Sequence, residues 1–278
     1  MTQYKFHQLD VFSKQTLKGN PLAVVHHADG MATSTMADFA SWTNLSETTF
    51  LLKPEHPQAD YKVRIFTPGK ELPFAGHPTL GSCYAWLANG GKPKNPDVIF
   101  QECGIGLVKI RRDGSKLAFA APALLKTGAL DEAMLMQIAA GLGLVREDIL
   151  LHQWVDNGPG WCVVMLESAE KVRAIQPNTA FLSEYKLGVI GPCKEDSGVD
   201  YEVRAFVLPY GITEDPVTGS LNAGIAQWLI GAGLSKPHYV AAQGSALRRA
   251  GRVYIDQEGG DIWVGGEVAI CIEGQVAI

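Results

Sequence analysis

Two short stretches decide the fold: DYKVRIF at residues 60–66 and DYEVRAF at residues 200–206. Each alternates apolar and polar positions with the period of a half-buried strand. Their spacing of about 140 residues recurs elsewhere in the chain. KGNPLAVV from Lys18 matches NGPGWCVV from Asn157, GHPTLGSCYAWL from Gly76 matches GSLNAGIAQWL from Gly219, and CGIGLVKI from Cys103 matches QGSALRRA from Gln243. Four collinear matches at nearly constant offset indicate an internal duplication, and hence two similar domains.

Each half reads as short strands rich in β-branched residues (PLAVV, TTFLL and YKVRIF; then WCVVMLE and YEVRAFV) with few helical stretches. Two apolar, glycine-bearing helices, at 78–89 and 220–231, look buried enough to plug a barrel. The expected class is α+β: two domains related by a pseudo-twofold axis, each a β-barrel-like sheet around a central helix. The boundary is placed before Pro122, giving domains 1–121 and 122–278, with a return of the C-terminal ICIEGQVAI onto the first domain left open.

The rest of the composition excludes more than it selects. A chain of 278 residues, 46% hydrophobic and 19% charged, has material for one large or two medium cores. The net charge of −5, without a run of Lys or Arg, argues against nucleic-acid or anionic-membrane binding. Five scattered cysteines without CxxC spacing suggest neither a disulfide framework nor a zinc site, and reduced thiols fit a cytoplasmic location. The start, MTQYKFHQLDVF, lacks a signal pattern, and no apolar run is long enough to span a bilayer. No HExxH, P-loop, GxSxG or completed GxGxxG appears, and His26 and His27 read as a solvated turn.

Candidate site residues cluster at the duplicated helix starts. Gly76 and His77 precede Pro78, which suits a first helical turn because its missing N–H would have had no partner there. Gly219 and Ser220 stand at the matching place in the second half. Two such helix mouths facing one cleft would bind a carboxylate through N–H donors and helix dipoles. Asp215 lies five residues before Ser220 in GITEDPVTGS, with Glu71 in the corresponding stretch of the first half. Glu71 and, less firmly, Glu214 read as ordinary solvated turn residues. Glu47 of WTNLSETTFLL falls between a helix expected over 33–43 and a strand beginning near Thr48, where desolvation at a cleft would let it take and return protons.

Taken in order, FHQLDVF, GNPLAVV, LSETTF, VRIFTPGKELPFAGHPTLGS and EDPVTGSLN resemble the phenazine-biosynthesis isomerase (PhzF-like) family within the diaminopimelate-epimerase-like fold, across nearly the whole chain. The resemblance implies an active site between two domains. It assigns the proton-shuttling carboxylate to Glu47 and the pocket to His77, Asp215 and Ser220, and it suggests a homodimer. Related racemases of this fold use two opposed cysteines at the helix mouths; His77 and Ser220 stand there instead, and Cys83 lies about two turns into the helix.

The expectation is therefore a cofactor-independent isomerase, requiring no metal, that shifts a proton and a double bond in a small cyclic or unsaturated carboxylate. It would resemble trans-2,3-dihydro-3-hydroxyanthranilate isomerase. Glu47 would be the base, with His77, Asp215 and Ser220 catalytic and Gly76 and Gly219 binding substrate. Two readings stay open beside it: a small-carboxylate-binding protein without catalysis, and a cofactor-independent epimerase.

Overall fold

The computed structural model describes residues 2–278. The chain divides into two compact units, one of residues up to Ala120 together with Gly265–Ile278 and one of Ala121–Val264.

The first unit runs β1 (Gln3–Val11), β2 (Asn20–Val25), α1 (Thr33–Thr43), β3 (Glu47–Leu52), β4 (Tyr61–Phe66), β5 (Glu71–Leu72), α2 (Gly76–Ala88), β6 (Val98–Cys103), β7 (Gly106–Asp113) and β8 (Lys116–Ala120). β2 pairs antiparallel with β1 and parallel with β3. β4 pairs antiparallel with β3 and parallel with β6, which leads into the antiparallel hairpins of β7 and β8. Tyr61, Val63 and Ile65 of β4 are buried on one face while Lys62, Arg64 and Phe66 share the other, as the alternation in YKVRIF requires. Helix α2 touches β1, β2, β3 and β8, so strands surround it. On the sheet's other side α1 packs Met36, Phe39 and Ala40 against Val25, Phe50 and Phe66.

The second unit contains α3 (Glu132–Leu142), β9 (Leu151–Trp154), β10 (Trp161–Met165), α4 (Ala169–Ala174), α5 (Thr179–Leu182), β11 (Lys186–Pro192), β12 (Tyr201–Phe206), β13 (Glu214–Asp215), α6 (Gly219–Gly231), β14 (His238–Gln243), β15 (Gly251–Glu258) and β16 (Asp261–Gly266). The pairing senses repeat those of the first unit. β10 is parallel to β11, β11 antiparallel to β12, β12 parallel to β14, and β14 antiparallel to β15. The duplication read from four sequence matches is thus a duplication of strand topology, and the α+β class holds. Helix α3 begins at Asp131, whose side chain accepts from the Met134 N–H, and ends at Gly143 in the left-handed region. Its Met134, Leu135 and Ile138 pack with Val164, Val189 and Phe206.

One open reading is decided and two expectations are corrected. The C-terminal segment does not complete the second unit: β17 (Val268–Ala277) pairs antiparallel with β1 along its length, covering the edge of β1 that β2 leaves open. The match of CGIGLVKI with QGSALRRA holds at Cys103 and Gln243 but not beyond. The first hairpin turns immediately, pairing Cys103 with Gly106, whereas the second pairs Gln243 with Gly251 across a longer loop. Both central helices also start earlier than expected, at Gly76 and Gly219, so His77 and Ser220 lie inside the first turn. Pro78 is tolerated as third residue because the first N–H groups of a helix have no intrahelical partner.

Candidate active site

Each central helix is seated by a glycine six residues into it. A Cβ at Gly81 would lie 2.4 Å from Leu22 Cδ2, and one at Gly224 would lie 2.4 Å from the Val155 carbonyl oxygen. This close approach brings the first turn of each helix onto the neighbouring strands of its own unit.

In the first unit it joins His77 to Glu47. Glu47 opens β3, in register with Leu22 of the parallel strand β2. Its Oε2 lies 3.4 Å from Nε2 of His77, with the glutamate side chain 16% exposed and the histidine 6%. The His77 Nδ1 faces Asn20 Nδ2 at 3.4 Å, and the Asn20 side-chain oxygen Oδ1 accepts from the Ser46 hydroxyl at 3.2 Å. Burial pushes the His77 imidazole down to about 3, with the Pro21 carbonyl opposing more weakly, so the ring is neutral at physiological pH. A neutral imidazole offers one N–H and one lone pair. The facing Glu47 Oε2 and His77 Nε2 atoms are both buried, in contact at 3.4 Å without a hydrogen bond to each other.

In the second unit Asp215 lies on β13, opposite Ala205 of β12, and its Oδ2 accepts from the Thr218 hydroxyl at 2.5 Å. Ser220 is held at two points: the Trp161 indole N–H donates to its Oγ at 3.0 Å, and the Asn157 side-chain amide donates to its carbonyl at 2.8 Å. An indole N–H can only donate, so the Ser220 hydroxyl accepts there and its own proton can be directed at another acceptor. Ser220 is therefore disposed as a hydrogen-bond donor. Gly76 and Gly219 are buried at the first position of their helices.

The other acidic residues have structural partners. Glu71 and Glu214 occupy equivalent positions, opposite Phe66 and Phe206. Each takes a two-point contact from an arginine two residues earlier on the adjoining strand: Arg64 to Glu71 at 2.7 and 2.6 Å, Arg204 to Glu214 at 3.0 and 2.7 Å. Glu214 is buried, not a solvated turn residue, and the first-half counterpart of Asp215 is Leu72 rather than Glu71. Burial pushes the Cys83 thiol up to about 12, so it offers no thiolate. His26 is also buried, its Nε2 3.0 Å from Nδ1 of His7, which replaces the expected solvated turn. Among the described residues, no group of three or more His, Cys, Asp or Glu side chains is placed to hold a metal ion.

The contacts that orient these groups come from residues to which the sequence reading assigned no role, chiefly Asn20, Trp161, Thr218 and Gln243. Asn20 and Trp161 do lie within the repeated stretches that begin at Lys18 and Asn157, and Gln243 opens the last repeated stretch. Membership in the repeat was the available signal.

A model of the phenazine biosynthesis-like proteins (PhzC-PhzF) matches residues 9–275. The chain belongs to that family. Among its PhzF-like relatives, antisense-enhancing sequence 1 of Schizosaccharomyces pombe is 36% identical, with 99% of both chains covered. The trans-2,3-dihydro-3-hydroxyanthranilate isomerase of Pseudomonas aeruginosa is 33% identical over 80% of this chain and 78% of its own. A PhzF-family phenazine biosynthesis protein from Enterococcus faecalis superposes with a TM-score of 0.83 at 26% identity, covering all of both chains. As a PhzF-like protein the chain has the diaminopimelate-epimerase-like fold, and among its described residues no helix is long and apolar enough to cross a membrane.

Proposed function

We propose that this PhzF-like protein is a cofactor-independent isomerase that moves a proton, and with it a double bond, within a small cyclic or unsaturated carboxylate. The observation that carries the reading is the half-buried Glu47 carboxylate set against the buried, neutral His77 imidazole. A related isomerase of trans-2,3-dihydro-3-hydroxyanthranilate supports the reaction class.

In this mechanism an allylic C–H bond of the substrate breaks and its proton passes to Glu47. The electron pair left behind shifts the double bond, and Glu47 returns the proton to a different carbon of the same system. A glutamate suffices only for a carbon acid activated in this way, which favours double-bond migration over abstraction of an ordinary amino-acid α-proton. His77 shares the proton while Glu47 carries it. In the second unit Ser220, whose hydroxyl accepts from Trp161, is disposed to donate to a ligand oxygen, and Asp215 to accept from an amino or hydroxyl group. Backbone N–H groups at Gly76 and Gly219 stabilise carboxylate charge.

The test is deuterium exchange in D₂O with trans-2,3-dihydro-3-hydroxyanthranilate and a panel of small unsaturated cyclic carboxylates, followed by NMR and mass spectrometry, with Glu47→Gln in parallel. Isomerisation that disappears in the variant supports the assignment. Turnover that survives in Glu47→Gln removes Glu47 from the mechanism. Ligands that raise the melting temperature without exchanging deuterium would mark a binding protein.

A further inference from the structure

Gln243 ends β14 and is 1% exposed, and all four hydrogen-bonding positions of its carboxamide are used. Its Oε1 accepts from the Thr218 backbone N–H at 3.0 Å and from the Asn222 side-chain amide at 2.9 Å. Its Nε2 donates to the Asp215 carbonyl at 3.1 Å and to the Thr218 hydroxyl at 2.9 Å. A backbone N–H can only donate, so the amide cannot be flipped. The Thr218 hydroxyl must therefore accept from Gln243, and its single proton is directed to Asp215 Oδ2, 2.5 Å away.

We propose that Gln243 and Thr218 are positioning residues for Asp215, forming a one-way chain of donors that fixes its carboxylate and holds it as a hydrogen-bond acceptor. The inference rests on the reading of Asp215 as a substrate-binding group. Neither residue touches the substrate in this assignment; both act through Asp215.

The duplication supplies an internal control. By strand register and helix start, the first-unit counterparts of Asp215, Thr218 and Gln243 are Leu72, Ala75 and Cys103. Every polar member is missing there at once. What both halves share is the bond that steadies the helix start itself: Thr79 Oγ1 to the Ala75 carbonyl at 2.9 Å in α2, and Asn222 Nδ2 to the Thr218 carbonyl at 2.9 Å in α6. The first unit also has a buried glutamine, Gln101, but it sits two residues earlier on its strand and donates to Thr79, whose hydroxyl bonds the Ala75 carbonyl, so its chain ends on the helix start and not on a carboxylate. Among the described residues the chain through Gln243 and Thr218 thus occurs only in the half that carries a carboxylate at the Asp215 position, while α2 forms without it. A role confined to starting the helix does not account for that asymmetry.

The charged residues on the elements adjoining Asp215 are Glu214 on β13, Arg204 and Glu202 on β12, and Arg248 and Arg249 in the loop after β14, where Arg249 packs near Gly244 and Pro216. None is altered by substitution at Thr218, so a change in Asp215 titration reports the lost donor.

The experiment is a ¹³C NMR titration of the Asp215 carboxyl in the full chain, assigned with Asp215→Asn, for wild type, Thr218→Val, Thr218→Ser and Gln243→Met. Removing a donor from a carboxylate raises its pKa. Thr218→Val and Gln243→Met should therefore titrate about one pH unit higher than wild type, with Thr218→Ser restoring the wild-type value. With trans-2,3-dihydro-3-hydroxyanthranilate, the acidic limb of kcat/KM should move in the same direction. Should Gln243→Met fail to fold, the two Thr218 variants decide the matter. An unchanged Asp215 titration in folded Thr218→Val overturns the proposal. Absence of turnover in wild type would count against the isomerase reading alone, since the titration needs no substrate.

Discussion

Acidification should destabilise the first unit through His77. In the unfolded chain a histidine titrates near 6.5, whereas burial pushes His77 down to about 3 in the fold. A histidine held neutral in the fold contributes full stability above the unfolded value. That stability is lost as pH falls through the window from about 6.5 to about 3, because the unfolded chain takes a proton the folded one refuses. At pH 5.0 the loss is about 2 kcal/mol, and it barely changes for any folded value below about 4, since the linkage slope of about 1.4 kcal/mol per pH unit depends only on the unfolded group. Urea unfolding at pH 7.5 and 5.0 would compare wild type with His77→Gln. The variant should lose about 2 kcal/mol less stability across that interval. His26, also lowered to about 3 by burial, persists in both proteins and cancels. In parallel the His77 Cε1–H resonance should hold its neutral position down to about pH 4. An inflection at or above 6.5, with wild type losing no more stability than the variant, would refute the argument. It would mean that an ionised Glu47 holds His77 as an imidazolium.

Glu47→Gln should lower kcat by at least about 10²-fold, as expected for removal of a general base, with unfolding unchanged in circular dichroism. The duplicated arginine forks should differ in weight. Arg204→Met strands a buried Glu214 carboxylate and should cost about 3–5 kcal/mol in denaturant unfolding. Arg64→Met breaks the more exposed pair with Glu71 and should cost about 1 kcal/mol or less. The two helix glycines separate in the same way. Gly224→Ala drives a methyl into the Val155 carbonyl and should destabilise by about 1–3 kcal/mol, whereas Gly81→Ala meets only the side-chain ends of Leu22 and Val11 and should cost less, as melting temperatures would report.

What the sequence by itself determined was whatever is encoded within a few residues. Strand alternation in DYKVRIF and DYEVRAF, helical spacing after GHP and TGS, and the order of the matched stretches specified the duplicated α+β units and the helix starts bearing His77 and Ser220. Glu47 was legible because it stands where a helix gives way to a strand, so its backbone position follows from local pattern. Tertiary structure decided who meets whom. Asn20 and His77 are 57 residues apart in the chain, Trp161 and Ser220 59, and Thr218 and Gln243 25. Glu71 and Glu214 read as turn carboxylates until strand pairing set each beside its arginine, and His26 read as solvated until His7 of the adjoining strand closed over it. The return of β17 to β1 is of the same kind. A strand's own residues specify that it will be a strand, but its partner is chosen by whichever edge remains open once the sheet has formed.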